Sequence, residues 1–173
     1  MLDRLAELEK RYKLGPLQRI LLTTDGSITR TLEALTGETV KIETVTQEVV
    51  GADEDLSTRL GVDVGDKVNF RVVNLKADDR ILVHATSFTP LSRLRPEFRK
   101  NIMKEDVPIG RILARLRIEA RREIRDFGVI RADKGLAGVF QVSPGSLLLR
   151  RNYDIIHDES VLMNITEVFP FDL

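Results

Sequence analysis

The chain has no cysteine, which excludes a disulfide framework, thiolate catalysis and thiolate metal sites. It has no tryptophan, 2 tyrosines and 7 phenylalanines, so side chains able to stack on nucleic-acid bases are scarce. Net charge is lacking too: 27 basic residues balance 27 acidic ones, leaving no global field to recruit nucleic acid or anionic lipid. No apolar run approaches the ~20 residues of a membrane span. The opening stretch, MLDRLAELEKRYKL, is a charged amphipathic pattern rather than an apolar leader with a cleavage site. A soluble cytoplasmic protein is expected, with no membrane partner. No glycine-rich phosphate loop, nucleophile elbow or low-complexity linker is found. His84 and His157 have no second ligand near them in sequence, so no metal site is expected.

What the chain does have is an internal repeat. Residues 60–90 (LGVDVGDKVNFRVVNLKADDRILVHATSFTP) lie over 140–170 (FQVSPGSLLLRRNYDIIHDESVLMNITEVFP) without a gap. Val62 falls on Val142, Gly65 on Gly145, Arg71 on Arg151, Asp78 on Asp158, Leu82 on Leu162, Thr86 on Thr166 and Pro90 on Pro170. Each copy reads as a turn at Gly, an alternating strand, a polar turn and a second alternating strand closed by Pro. The likeness extends upstream. Ser27, Ile28, Thr29 and Arg30 lie over Pro108, Ile109, Gly110 and Arg111, and Val49, Ala52, Asp53 and Leu56 over Val129, Ala132, Asp133 and Leu136. The duplicated unit is helix, strand, short helix, hairpin.

Before the repeat, Leu2, Leu5, Leu8 and Tyr12 recur at helical spacing, and Gly15-Pro16 ends that helix and begins another with Leu17, Ile20 and Leu21 on one side. Ser27 can cap a short helix that stops at Gly37, and Val40, Ile42 and Val45 signal a strand. Asp53 to Leu60 can form a short helix. After Pro90 the pattern is helical through LSRLRPEFRKNIM, and Asp106 with Pro108 starts a further helix. The expected fold is α+β: one domain over residues 1–173, pseudo-repeats at about 27–90 and 108–170, and N-terminal helices in front. Hairpins join antiparallel neighbours, so about six strands should form one mixed or wholly antiparallel sheet with helices on one face and pseudo-twofold symmetry. A cleft between the halves is the default ligand site.

Glu167 is the most informative residue. Strand alternation puts it in an apolar row with Val161, Met163, Ile165 and Phe169, where a carboxylate needs a partner or a raised pKa. The first repeat has Ser87 there, so the fold does not itself demand an acid. Arg151 shares its face with Leu149, Tyr153 and Ile155, which makes it the natural structural partner for Glu167. Arg71 and Arg151 are either solvated rim residues or ligand-binding groups. The helix starts at Ser27 and Pro108 are ordinary caps, or else anion-facing ends with Ile28 and Ile109 as apolar walls. Arg93, Arg95, Arg99 and Lys100, then Arg111, Arg115, Arg117, Arg121 and Arg122, make the middle of the chain basic. They read as solvated helix faces paired with Glu97, Glu119 and Glu123. Nucleic acid ranks last among partners.

With these residues in view, the sequence resembles the chorismate pyruvate-lyase family. The resemblance rests on LLTTDGSITRTLEALTGETVKIE, NFRVVNLKADDRILVHATSFTP, VPIGRIL and NITEVFP, in the family's order from Leu21 to Pro170. It implies the chorismate lyase fold and loss of the enolpyruvyl side chain of chorismate as pyruvate, leaving 4-hydroxybenzoate, with no cofactor. It makes Arg71 the arginine for the ring carboxylate and Glu167 the acid at the 4-hydroxyl end. Ile28 and Ile109 become apolar pocket walls, with the Gly110 backbone beside them. The segment Ala85-Thr86-Ser87-Phe88-Thr89-Pro90 departs from bacterial members of the ubiquinone pathway, which tend to carry an arginine there. The duplicated fold also resembles the UTRA effector-binding domain of GntR-type repressors, which senses small molecules and performs no chemistry. No helix-turn-helix module is expected in front of the repeat here.

Overall fold

Short polar motifs fix the ends of the helices, and they recur in both halves. A computed structural model of the chain describes residues 1–104 and 109–173; Asp106 and the expected helix start at Pro108 lie outside the described residues. Helices α1 (Leu2–Tyr12) and α2 (Pro16–Thr23) open the chain. In α2 the buried residues are Leu21 and Leu22, while Ile20, expected on the inner side, is 51% exposed. Helix α3 (Ile28–Thr36) is capped by Ser27, whose hydroxyl accepts from the Arg30 N–H at 3.5 Å, and it stops at Gly37 with φ 75°, a conformation suited to glycine.

Strand β1 (Lys41–Gly51) leads through α4 (Glu54–Leu60) into the hairpin β2 (Lys67–Ala77) and β3 (Arg80–Pro90). The second half repeats this as α6 (Ile109–Arg115), β4 (Arg121–Arg131), α7 (Lys134–Phe140), β5 (Leu147–His157) and β6 (Ser160–Pro170), after α5 (Pro96–Lys104). The caps of the two crossover helices match: Asp53 accepts from Leu56 N–H and Asp133 from Leu136 N–H, both at 2.8 Å. The hairpin turns match as well, with Asp78 at φ 48° and Asp158 at φ 47°.

The six strands form one wholly antiparallel sheet in the order β1-β2-β3-β6-β5-β4. At its centre Thr86 pairs with Thr166, flanked by Ala85 opposite Glu167 and Ser87 opposite Ile165. Each of these positions maps onto the other under the repeat, so the pseudo-twofold axis passes between the two threonines. Even the irregularities are duplicated, with register shifts at Thr44/Thr46 and Ile124/Asp126, and at Leu75/Lys76 and Ile155/Ile156. The last shift corrects one expectation. It adds a residue to β6 opposite Ile155/Ile156 and so turns Val161 out of the Glu167 row; Val161 packs with Val68 and Phe88, while Leu162 joins Met163.

Side chains alternate across the sheet. On one face, α2 and α3 pack over Val73, Leu75 and Ala85, and α5 and α6 over Tyr153, Ile155, Met163 and Ile165. The short helices α4 and α7 instead reach Val68, and Leu148 with Val168, residues of the opposite parity. Between them that second face is polar. Asn74 bonds His84 at 2.8 Å, and Asn164 bonds Asp154 at 2.6 Å and Asn152 at 3.1 Å. No helix among the described residues is long and apolar enough to cross a membrane.

The basic middle of the chain is not one helical face. Helix α6 ends where Arg117 turns left-handed at φ 53° and the Ile118 N–H donates to the Leu113 carbonyl at 2.9 Å, which puts Arg121 and Arg122 on strand β4. Arg121 pairs with Glu123 and Glu159 at 2.9 Å, and Arg111 with Glu33 at 2.7 Å. Arg93 donates to the Leu60 and Val161 carbonyls at 2.6 Å, tying the α4 end to β6.

Because the two crossover caps are equivalent, Asp53→Ala and Asp133→Ala should each lower stability by about 1 kcal/mol in urea unfolding. A silent substitution at either site would show that the duplicated caps do not carry equal weight.

Candidate functional site

The two halves meet over a pocket lined by residues of both. Its empty space is about 620 Å³, a figure that includes open solvent at the mouth. The starts of α3 and α6 contribute Ser27, Ile28, Thr29, Ile109 and Gly110; the sheet contributes Ile42, Arg71, Val73, Leu75, Ala85, Ser87, Arg122, Tyr153, Ile155, Ile165 and Glu167. Arg71, Glu167, Ile28, Ile109 and Gly110, singled out in the sequence, are therefore brought together. Arg151 is not in the lining.

Most lining residues come in pairs related by the repeat: Ile28 with Ile109, Thr29 with Gly110, Leu75 with Ile155, Ala85 with Ile165. Three further pairs differ in polarity. Ser87 becomes Glu167, Val73 becomes Tyr153, and Ile42 becomes Arg122. All three changes add a polar or charged group to the second half, and they give a symmetric cavity chemically different ends.

The first of these changes also separates the two equivalent arginines. Arg151 is fully buried, and its Nε donates to Glu167 Oε2 at 2.7 Å. Its Nη1 donates to the Thr24 carbonyl at 2.7 Å, and its guanidinium lies 4.9 Å from the centre of the Tyr153 ring and 5.8 Å from that of Phe169. Held on all these sides, Arg151 is the structural counter-charge of Glu167. Tyr153 completes the arrangement by donating its hydroxyl to Glu167 Oε1 at 3.0 Å. Burial first, and then the Glu167 charge, push the Tyr153 phenol well above its ordinary pKa, so it remains a donor.

The residue opposite Arg71 on β3 is Ser87, where Arg151 has Glu167 opposite it on β6. Arg71 is 2% exposed, and its Nη2 donates to the Thr44 hydroxyl at 3.0 Å. The pocket thus offers a guanidinium from β2, a carboxylate from β6 whose charge Arg151 balances from behind, a phenol donor from β5 and apolar walls. Such a set suits an aromatic or cyclic acid, with an anionic group at Arg71 and a hydroxyl at Glu167.

Sequence reasoning gave Tyr153 no role, and it placed Arg122 on a solvated helix face. The signal for both was already in the repeat, as the departures of Tyr153 from Val73 and of Arg122 from Ile42. His84 lies on the polar face away from the pocket, and burial lowers its pKa. No group of three His, Cys, Asp or Glu side chains among the described residues is placed to hold a metal.

Solved structures share this α+β fold. The effector domain of PhnF from Mycobacterium smegmatis superposes with a TM-score of 0.74 at 20% identity, covering 87% of this chain and 92% of that one. A GntR-family transcriptional regulator from Bacillus cereus gives a TM-score of 0.61 at 17% identity, over 75% of this chain and 90% of that one. At these identities the likeness concerns the fold alone. The sequence model of the family described as chorismate pyruvate-lyase Rv2949c-like matches residues 22–173, and the chain belongs to that family. A protein of Methanocaldococcus jannaschii named "Putative lyase MJ0807" is 35% identical over 170 residues, 95% of this chain and 84% of that protein.

Removing the Arg151 side chain strands a buried carboxylate, so Arg151→Met should cost about 3–5 kcal/mol in urea unfolding. Adding Glu167→Gln should recover much of that loss; no recovery would contradict the pairing. Tyr153 makes a separate prediction. Its folded-state pKa exceeds the ordinary ~10 of the unfolded chain, so its contribution is complete below pH 10 and is lost as the pH rises past that value. The urea midpoint should therefore fall more steeply between pH 9 and 11 in the wild type than in Tyr153→Phe; equal slopes would contradict the raised pKa.

Proposed function

We propose that the protein is a chorismate lyase, converting chorismate to 4-hydroxybenzoate and pyruvate without a cofactor. The observation that carries this reading is the pairing of Arg71 with a buried, charge-balanced Glu167 in one apolar pocket. The first suits the ring carboxylate and the second the hydroxyl-bearing carbon. Arg71 anchors the carboxylate through charge-assisted hydrogen bonds. With the ring held by Ile28, Ile109 and the sheet residues, Glu167 faces the hydroxyl-bearing carbon that must lose its proton.

The step balances within the substrate. The ether C–O bond breaks and its electron pair leaves on the enolpyruvyl oxygen, while the adjacent ring carbon loses its proton toward Glu167. The C–H electron pair becomes the last double bond of the aromatic ring. The departing enolpyruvate takes up one proton and rearranges to pyruvate, so no oxidant, reductant or second substrate enters. Aromatisation supplies the driving force, and the protein contributes orientation and proton handling. Tyr153 and Arg151 keep the Glu167 carboxylate fixed throughout.

A second reading, a small-acid effector-binding protein, is favoured by one observation: the fold matches that of GntR effector domains. Glu167 separates the two. A sensor of small acids has no evident need for a costly buried carboxylate in its ligand pocket.

Incubating the purified protein with chorismate should give pyruvate and 4-hydroxybenzoate in equal amounts above the spontaneous background. No turnover, with a melting temperature raised by 4-hydroxybenzoate, would move the protein to the effector-binding class. Arg71→Ala should act mainly on KM, by about 10- to 100-fold, and Glu167→Gln should lower kcat by about 10²- to 10⁴-fold. Full activity in Glu167→Gln would remove its role in proton transfer.

A further inference from the structure

A lyase acting on chorismate must accommodate two carboxylates, one on the ring and one on the departing enolpyruvyl group, and Arg71 accounts for only one of them. This inference rests on the lyase reading above and extends it. The segment before Pro90 offers no arginine, since positions 85 to 89 are Ala, Thr, Ser, Phe and Thr. The pocket nevertheless contains a second guanidinium, that of Arg122.

Four observations single Arg122 out. It replaces Ile42 of the first repeat, so the duplicated fold does not require a charge at this position. No acidic side chain among the described residues is within ion-pair distance of it, although its neighbour Arg121 pairs with both Glu123 and Glu159. Its guanidinium is held at the pocket edge, where Nη1 donates to the Asp25 carbonyl at 3.3 Å and Nη2 lies 3.6 Å from where a Cβ on Gly110 would stand. Finally, it is on the Glu167 side of the pocket: its strand pairs with β5, which carries Tyr153, and its positive charge acts on the Tyr153 hydroxyl. Arg71 is on β2, on the other side of the pseudo-twofold axis.

We infer that Arg122 binds the carboxylate of the departing enolpyruvyl group, so that the pocket reads a dicarboxylate through two arginines from opposite halves of the repeat. The geometry follows the substrate. The enolpyruvyl ether is attached next to the hydroxyl-bearing carbon, and a ring with its own carboxylate on Arg71 presents that ether at the end where Glu167, Tyr153 and Arg122 converge. The product 4-hydroxybenzoate has lost the second carboxylate. Arg122 therefore favours substrate over product and helps to release the product once pyruvate has gone.

The test is a split between two ligands. By calorimetry and steady-state kinetics, Arg122→Ala should weaken chorismate binding and raise KM by about 10- to 100-fold, while the Kd for 4-hydroxybenzoate stays within about twofold of wild type. Arg122→Lys should restore part of the loss for chorismate. Loss of affinity for both ligands together would make Arg122 a support for the α3 and α6 ends and overturn the inference, as would unchanged affinity for chorismate. If the wild type binds chorismate without turning it over, the lyase reading fails, and the split in Kd still decides the role of Arg122. If the wild type binds no chorismate at all, both readings fall.

Discussion

The buried pair of Glu167 and Arg151 is the constraint on which the site depends. A carboxylate that is 5% exposed and a guanidinium that is fully covered are each costly to remove from water. They are tolerated together because Nε donates to Oε2 at 2.7 Å, Tyr153 satisfies the second carboxylate oxygen and the Thr24 carbonyl takes another guanidinium proton. This arrangement fixes the position of an acid inside an apolar cavity and removes Arg151 from ligand binding. It leaves the equivalent Arg71 facing the pocket.

Duplication explains why the site has this form. Two copies of one unit, joined through the Thr86 and Thr166 pair on the axis, produce a shared cavity whose walls begin as equivalent pairs. A symmetric cavity cannot distinguish the two ends of a ligand. Replacing Ser87, Val73 and Ile42 by their counterparts Glu167, Tyr153 and Arg122 gives one end an acid, a donor and a cation, while the pairs Ile28 and Ile109, Leu75 and Ile155 keep the walls apolar. The fold it shares with GntR effector domains provides the cavity, and the departures from symmetry provide the chemistry.

Much of this was legible in the sequence because the repeat is ungapped from Val49 to Pro90, with the helix before it shifted by one residue. The 80-residue offset aligns turns, caps and strands, and alternation within a strand is enough to put Glu167 and Arg151 on one face. What alternation cannot register is a bulge, and the extra residue in β6 turned Val161 away from the row assigned to it. Arg122 was misread for a related reason. Charge runs continuously through RLRIEARREIR, yet the chain leaves α6 at the left-handed Arg117, and only the tertiary arrangement brings β4 back to the pocket. Ile20 shows the limit of periodicity at a short helix, where Leu21 and Leu22 take the inner side and displace it to solvent.

A crystal structure with 4-hydroxybenzoate bound tests the central claim most directly, because the claim concerns which end of the pocket does what. The account predicts one orientation, with the ring carboxylate hydrogen-bonded to Arg71, the hydroxyl directed at Glu167, and Arg151 still paired with Glu167 beneath it. A ligand bound in the reverse sense, or a carboxylate on Arg151 with Glu167 displaced, would contradict it.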